Sequence, residues 1–271
     1  MTRTGLGRYG FSVDVRDDDS HLATALTIEG LGFGTLWING GQLDRLDRLT
    51  DLLAATNTAA VGSSIIAPDK YTPTDVADVF AQAEKLAPAR LFVGLGSSHR
   101  PKALNHLDGY LDQLDVVPRH RRVLAALGPR ALTLARHRFA GAMPMLFTAA
   151  QTTSARQVLG PDRLLSVGLS AVLDEQPDRA RTTARRPLQF LTTLTSYRKS
   201  LMRQGFTDRD IESVSDHLVD SLVAWGSAAE IAERAQRLHE AGADHVHLTV
   251  LGEGRQPTGA LAARLLAAEF G

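Results

Sequence analysis

The 271-residue sequence contains no cysteine, and its 30 basic residues are balanced by 30 acidic ones. Without cysteine the chain cannot form disulfide bonds, use a thiolate in catalysis or bind a metal through cysteine sulfur. The balanced charge gives no field that would attract nucleic acid or an anionic membrane, so neither is expected as a partner. No apolar run reaches the ~18 residues of a membrane-spanning helix, and the first residues lack the apolar core of a signal peptide. We therefore expect a cytoplasmic protein.

Short apolar runs alternate with amphipathic stretches along the chain. Apolar runs bounded by turn residues are typical of strands buried on both faces of a parallel sheet. They predict eight strands, at 9–15, 33–38, 59–67, 91–95, 123–127, 141–148, 164–173 and 245–251. Helical spacing and end signals predict helices at 21–31, 43–55, 73–86, 103–114, 129–138, 152–159, 178–205, 208–222, 228–241 and 259–270. The stretch 178–205 is interpreted as one long helix or two adjoining ones.

This alternation indicates a fold class. Eight strand–helix units in roughly 250 residues predict a (β/α)8 TIM-type barrel. A doubly wound sheet is the alternative, but no GxGxxG motif follows the first strand, and eight units exceed the about six strands of that fold. No repeat, low-complexity segment or linker divides the chain, so we predict a single domain over residues 1–271.

The fourth predicted strand is followed by a polar loop, Gly96-Ser97-Ser98-His99-Arg100. In α/β folds ligands bind beyond the carboxyl ends of the strands, so these donors are candidates for a binding site. A loop that merely faces water is the alternative reading. Two glycines spaced as GxG are often a plain turn, and the loop alone does not decide between the two.

The turn at 126–130 joins the fifth predicted strand to a helix with Pro129 in its first turn. Free backbone N–H groups and the helix dipole attract anions at such a position. The combination of a glycine at 128 and an arginine at 130 is more than helix capping alone requires. We therefore favour an anion site here over an ordinary strand–helix turn.

The third predicted strand contains glycine and two serines at 62–64, residues that weaken a strand. The spacing is equally compatible with a bulge or a close ligand approach and with a serine pair that faces solvent. His245 and His247 share one face of the last strand, but no carboxylate–histidine set accompanies them, so we predict no metal site. No GxSxG, HExxH or P-loop motif is present.

Six blocks of the sequence carry a family resemblance by their order and spacing. They are ALTIEGLGFGTLWING, PARLFVGLGSSHRP, VLAALGPRALTLARHRFAGAMPMLFT, TSARQVLGPDRLL, SYRKSLMRQGFTDRDI and AGADHVHLTVL. Over nearly the whole chain they resemble the luciferase-like monooxygenase superfamily, and within it the coenzyme F420-dependent oxidoreductases of actinobacteria. The resemblance implies a luciferase-like TIM-type barrel that binds a deazaflavin or flavin at the carboxyl ends of its strands. It also implies a small organic substrate and frequent homodimers.

The resemblance also implies positions for the cofactor, coenzyme F420 or alternatively FMN. Deazaflavin relatives often have a non-proline cis peptide in the third strand, against the ring, which would fall at residues 63–65. The turn at 126–130 would meet the phosphate, and His99 is the candidate catalytic proton donor beside the hydride site. The implied cofactor-binding residues are Asn39, Ser63, Ser64, Ile65, Gly96, Ser97, Ser98, Arg100, Gly128 and Arg130.

The sequence departs from the family pattern at two places. Gly40 and Gly41 stand where many deazaflavin relatives have an acid and a histidine or another large polar group. Residues 149–152, AAQT, stand where closer relatives read Pro-Glu-His-Thr. Three functions are therefore compared: hydride transfer with F420, which we favour, an FMN-dependent monooxygenase, and a degenerate barrel that only binds a ligand or partner.

Overall fold

The computed structural model describes residues 5–96 and 103–270. The strands in these ranges are β1 (Tyr9–Ser12), β2 (Thr35–Asn39), β3 (Ala60–Ser64), β4 (Leu91–Leu95), β5 (Arg122–Leu124), β6 (Gly141–Ala142), β7 (Leu164–Leu173), β8 (Val223–Gly226) and β9 (His245–Val250). The helices are α1 (Ser20–Gly30), α2 (Asp47–Ala55), α3 (Pro73–Leu86), α4 (Ala103–Leu111), α5 (Pro129–Arg138), α6 (Ala149–Leu159), α7 (Pro177–Leu191), α8 (Thr195–Arg203), α9 (Asp208–Ser213), α10 (Asp216–Leu222), α11 (Ala228–Glu240) and α12 (Gly259–Phe270). Short 3-10 helices cover Gly40–Gln42 and Arg119–Arg121.

Eight of the strands close into a parallel barrel. The order around the ring is β1, β2, β3, β4, β5, β6, β7 and β9, and β9 pairs with β1. The start of β7 pairs with β6, while residues 166–171 of β7 pair with β9. β8 is additional to the ring and pairs with residues 170–173 of β7. The predicted (β/α)8 TIM-type fold is confirmed.

The interior of the barrel is narrow, and one large side chain occupies much of it. Trp37 is fully buried there, beside Phe92 and Met143. A Cβ atom at Gly62 would lie 2.3 Å from the Trp37 ring, and one at Gly10 would lie 2.8 Å from its Nε1 atom. Glycine on the two neighbouring strands therefore makes room for the indole. The larger apolar core lies between the strands and the surrounding helices.

All eight predicted strands are present, but the sixth is much shorter than predicted. Its ladder ends after Ala142, because Pro144 has no backbone N–H to donate and Leu146 has a φ of 56°. The segment after Ala142 still lies alongside β7, since the Gly168 N–H donates to the Pro144 carbonyl oxygen at 2.8 Å. The prediction of a continuous strand over 141–148 is therefore wrong.

The helical prediction over 208–222 is also wrong in detail. Two helices, α9 and α10, lie there, and Val214, with a φ of 45°, separates them. The Ser215 hydroxyl then accepts a hydrogen bond from the Leu218 N–H and starts the second helix. β8 follows directly, and the sequence analysis missed this four-residue strand. The stretch 178–205 forms two adjoining helices, one of the two readings considered.

Candidate functional site

The end of β3 is enclosed by glycines on both sides. A Cβ atom added at Gly94 would lie 1.9 Å from the Ser63 carbonyl oxygen, and one added at Gly40 would lie 2.4 Å from the Ile65 carbonyl oxygen. At Gly96 it would lie 2.4 Å from the Ile65 Cδ1 atom. Real Cβ atoms do not approach backbone atoms so closely, so glycine is needed at Gly94 and Gly40, whereas the end of the Ile65 side chain could move away from a side chain at residue 96. The peptide bond between Ser64 and Ile65 is cis, within the segment where the resemblance implies one.

The two serines of this segment have different surroundings. Ser63 is fully buried, and its hydroxyl donates to the Gly94 carbonyl oxygen and accepts from the Gly94 N–H, both at 2.9 Å. It therefore replaces backbone ladder bonds between β3 and β4, and the reading of a solvent-facing serine pair is wrong for it. Ser64 is half-buried and lies opposite Asn39 in the β2–β3 register. These two side chains make no hydrogen bond within residues 5–96 and 103–270 and can bind a ligand.

Alternation along the strands places further hydroxyls at the carboxyl end of the barrel. The Ser12 hydroxyl on β1 lies 2.8 Å from the Thr249 hydroxyl on β9. Ser12 pairs in register with Trp37, and Trp37 is two residues before Asn39 on the same face of β2. Ser12, Asn39, Ser64 and Thr249 thus share the inward face near the strand ends. Four polar, uncharged side chains therefore lie on this side of the mouth.

The turn before α5 has the features of an anion site. Gly128 is the N-cap residue and Pro129 is the first helical residue, as predicted. Arg130 is exposed, whereas the Arg203 Nη2 atom donates to the Leu127 carbonyl oxygen at 2.7 Å. Burial lowers the pKa of Arg203 from its usual value, but a guanidinium remains charged. A Cβ atom at Gly128 would lie 3.1 Å from the Arg203 Nη2 atom, so glycine lets the guanidinium reach the turn.

The residue after Arg203 fixes the next loop of the mouth. The Gln204 side chain donates to the Leu146 carbonyl oxygen at 3.0 Å and accepts from the Thr148 N–H at 2.9 Å. Thr148 in turn caps α6, its hydroxyl accepting from the Gln151 N–H at 3.3 Å. The end of α8 therefore ties down the loops that follow both β5 and β6. The sequence analysis quoted this segment for the resemblance but assigned neither Arg203 nor Gln204 a role.

A cavity of about 600 Å³ lies on the opposite side of the mouth, beyond the ends of β7 and β9. Its lining includes Asp174, whose carboxylate accepts from Arg179 at 2.8 and 2.9 Å and from Gln256 at 2.9 Å. These hydrogen bonds, that of Arg179 above all, lower the pKa of Asp174, which is ionised at neutral pH. Thr183, Glu253 and Arg255 also line the cavity. A volume of this size is within the range of small-molecule sites. The sequence analysis did not identify this cavity.

The two histidines of β9 lie inside the barrel, below the mouth. Both are fully buried, and burial lowers the pKa of His245 to about 4 and that of His247 to about 3. The His245 Nε2 atom accepts from the Trp37 Nε1–H at 3.2 Å, and its Nδ1 atom lies 2.9 Å from the Gly7 carbonyl oxygen. His245 is therefore neutral with its proton on Nδ1, since Nε2 must accept. Both imidazole rings are therefore neutral at physiological pH, and both histidines belong to the buried interior of the barrel.

Of the residues at the two departures from the family pattern, the structure explains Gly40, whereas a side chain at Gly41 would meet no atom within 4 Å. A side chain at Gly40 would collide with the Ile65 carbonyl oxygen, so the segment 63–65 excludes a polar group there. Residues 149–151 form the exposed first turn of α6. Ser97, Ser98, His99 and Arg100 lie outside the residues that the structure describes, so their predicted roles stay predictions. Gly96 is at the end of β4, beside Ile65, where a ligand-facing loop was predicted to begin.

Residues 5–96 and 103–270 contain neither a candidate metal site nor a candidate membrane span. No group of three or more histidine, aspartate or glutamate side chains there could hold a metal ion. Over the same ranges, no helix is long and apolar enough to cross a membrane.

No model of a known protein family matches the chain, and no curated protein matches it in sequence. An F420-dependent secondary alcohol dehydrogenase, solved with an F420–acetone adduct, is 14% identical with a TM-score of 0.72, over 96% of this chain and 97% of that one. The coenzyme F420-dependent tetrahydromethanopterin reductase from Methanopyrus kandleri is 14% identical with a TM-score of 0.70, over 97% of each chain.

A third solved structure is the FMN complex of a type II Baeyer–Villiger monooxygenase, the oxygenating constituent of 3,6-diketocamphane monooxygenase from the CAM plasmid of Pseudomonas putida. It is 11% identical with a TM-score of 0.68, over 96% of each chain. At these identities the likeness establishes the fold. The chain has the same TIM-type barrel fold as these three enzymes.

Proposed function

We propose that this protein is an oxidoreductase that binds coenzyme F420 at the carboxyl end of its barrel and transfers a hydride to or from a small organic substrate. The resemblance of the sequence and the fold of two F420-dependent enzymes over nearly the whole chain both support this function. The cofactor supplies the redox chemistry, and the residues of the chain bind and orient it.

The observation that carries the proposal is the arrangement around residues 63–65. Ile65 is half-buried and its side chain lies beside Gly96, so an apolar surface lies at the mouth. Asn39 and Ser64 border this surface with polar groups that have no partner in the described part of the chain. A planar heteroaromatic ring needs this combination, because its face packs on apolar atoms while its edge forms hydrogen bonds.

The turn before α5 would hold the phosphate of the cofactor. Its free backbone N–H groups lie at the positive end of α5, and Arg130 and Arg203 add two positive charges that attract a phosphate group. Both F420 and FMN carry a phosphate, so this turn serves either cofactor. The cavity beside Asp174 and Arg179 would then take the substrate or the rest of the cofactor.

Proton transfer is assigned to His99, which would act as acid or base beside the position of the transferred hydride. The assignment rests on the sequence. It accounts for turnover without an acid at residue 40, where the Ile65 carbonyl oxygen leaves no space. An His99→Ala variant should keep its cofactor affinity and lose most of its turnover.

Fluorescence titration of the protein with oxidised F420, and separately with FMN, tests the proposal. We expect saturable F420 binding, and a Kd about tenfold higher in Arg130→Gln, which corresponds to ~1.4 kcal/mol. Arg264→Gln is the matched control, since Arg264 is exposed on α12 and its loss should leave the Kd unchanged. Binding of FMN without F420 would move the assignment to an FMN-dependent monooxygenase. If neither cofactor binds the folded protein, the proposal is wrong and the degenerate barrel is correct.

A further inference from the structure

A second cavity lies at the amino-terminal end of the barrel, away from the proposed cofactor site. Its volume is about 430 Å³, and it is formed by the segments that lead into β5, β6 and β7. Its lining is basic and aromatic, with Phe92 and Phe139 beside Arg119, His120, Arg121 and Arg163. In enzymes of this fold the chemistry lies at the opposite end, so the proposed function uses none of these residues.

Two arginines of this cavity are held side by side. The Arg119 Nη2 atom donates to the Arg136 carbonyl oxygen at 2.6 Å, and the Arg163 Nε atom donates to the same oxygen at 3.0 Å. Arg119 also donates through Nε to the Phe139 carbonyl oxygen at 3.1 Å. The two guanidinium groups thus converge on one carbonyl group, and several of their N–H groups remain free for a ligand.

Capping of α5 is the simplest explanation for one of these arginines. Arg136 is in the last turn of α5, where a cation satisfies carbonyl groups and the helix dipole. One guanidinium is sufficient for that purpose. The second brings a like charge close to the first, and burial together with the charge of Arg163 lowers the pKa of Arg119. An anion between the two would relieve this repulsion.

The remaining charges around the cavity leave the two arginines uncompensated. No carboxylate in residues 5–96 and 103–270 lies within 4.0 Å of Arg119 or Arg163. Arg121 packs on the Phe92 ring at 4.5 Å and is paired with Glu84 at 3.7 Å. Asp162 also lines the cavity and contributes one negative charge. The balance of the lining is positive.

We propose that this cavity binds a small molecule with a phosphate monoester group, held by the paired guanidinium groups of Arg119 and Arg163. The N–H groups of a guanidinium match the oxygen geometry of phosphate, and two guanidinium groups balance the charge of a phosphate dianion. A carboxylate would balance only one of the two positive charges. The volume limits the rest of the ligand to a small body beside Phe139. Because the site is at the far end of the barrel from the cofactor, its ligand is not the substrate of the hydride transfer.

Calorimetric titration of the full chain with inorganic phosphate, and then with glycerol 3-phosphate, tests this inference at constant ionic strength. We expect a saturable binding component that is at least tenfold weaker in Arg163→Gln. Arg264→Gln removes the same charge from an exposed surface and should bind as the wild type does. Arg130→Gln, which removes a charge from the turn before α5, is titrated as well and shows whether phosphate binds at that turn instead.

A variant that should strengthen phosphate binding distinguishes loss of the site from loss of the folded structure. Asp162→Asn removes the negative charge from the cavity, so phosphate should bind more tightly, and loss of structure cannot produce that result. The inference is overturned if the wild type shows no saturable binding, if Arg264→Gln weakens binding as much as Arg163→Gln, or if only Arg130→Gln weakens it. F420 titrations of the same variants report separately on the proposed function.

Discussion

The two ends of β3 are fixed by different kinds of contact. At the amino end, the Glu29 carboxylate accepts hydrogen bonds from the N–H groups of residues 57–59, at 2.6 to 3.0 Å. Arg90 donates to the Ala59 carbonyl oxygen at 2.8 Å and to the Thr56 carbonyl oxygen at 3.0 Å. At the carboxyl end, glycines of the neighbouring strands let backbone pack against backbone, and the Ser63 hydroxyl is the polar link.

This difference separates stability from function along a single strand. At the amino end, the long charged side chains of Glu29 and Arg90 bind backbone groups of the loop before β3, and these contacts do not restrict which side chains the loop has. Glycine contacts set the position of the backbone, because no side chain can move aside when two main chains touch. We therefore expect the amino end to tolerate substitution better than the carboxyl end, where residues 63–65 are held in one place beside the proposed cofactor site.

The largest effect should follow from a methyl group at Gly94. In Gly94→Ala the new Cβ atom would meet the Ser63 carbonyl oxygen at 1.9 Å, a backbone atom that cannot rotate away. We expect a loss of at least ~3 kcal/mol of unfolding free energy, measured by urea denaturation. The matched control is Gly109→Ala in α4, where nothing lies within 4 Å of the new atom. That variant should gain ~0.5–1 kcal/mol, and equal effects in the two variants would contradict the proposed contact.

A smaller effect should distinguish the two adjacent serines. Ser63→Ala leaves the buried N–H and carbonyl groups of Gly94 without their partner, at a cost of ~2 kcal/mol. Ser64→Ala removes no hydrogen bond within the described part of the chain and should change stability by less than ~0.5 kcal/mol. It should instead raise the Kd for F420. Denaturation and cofactor titration of the pair check both statements, and a stability loss in Ser64→Ala would count against them.

The smallest effect is expected at the amino end. Hydrogen bonds from the N–H groups lower the pKa of Glu29 to about 2, although burial raises it, so the carboxylate stabilises the folded state above pH 4.5. This contribution should be lost as the pH falls from 4.5 towards 2, because only the unfolded state takes up the proton at first. The group is partly exposed, so we expect Glu29→Gln to cost only ~1 kcal/mol at pH 7.

Thermal or urea unfolding of Glu29→Gln between pH 7 and pH 3 checks this last prediction. The difference from the wild type should shrink at the acidic end. Glu269→Gln, at an exposed position on α12, is the control and should show no such trend. A difference that stays constant with pH would mean that the carboxylate charge is not what holds the loop.

Much of the barrel was predictable because its strands are short apolar runs between turn residues. All eight strands of the ring were placed, and α3, with Pro73 in its first turn and Leu86 at its end, was placed to the residue. The errors arose where local signals were weak or were outweighed. Pro144 shortened β6, and β8, a strand of only four residues between two helices, was left unassigned.

The candidate site was predictable only in part. The segment at 62–64 was predicted as part of the site because glycine and serine are unusual inside a strand. The turn at 128–130 was predicted because its glycine and arginine are more than helix capping requires. Arg203 was not, since it lies 75 residues along the chain from Gly128 and nothing local indicates that the two meet. The Asp174–Arg179 cavity was missed for the same reason, because Gln256 completes it from a distant loop.

The sequence by itself determined the order of the eight strands of the ring, and hence the barrel, and it predicts the end at which ligands bind. Periodicity and turn residues are local properties, and parallel strands joined by helices close in few ways. Only the tertiary structure decided which glycine faces which carbonyl oxygen, that Ser63 bonds β4 while Ser64 is left for a ligand, and that Arg119 and Arg163 share one acceptor. Those facts depend on register and on contacts between residues far apart in the chain, which no local pattern contains.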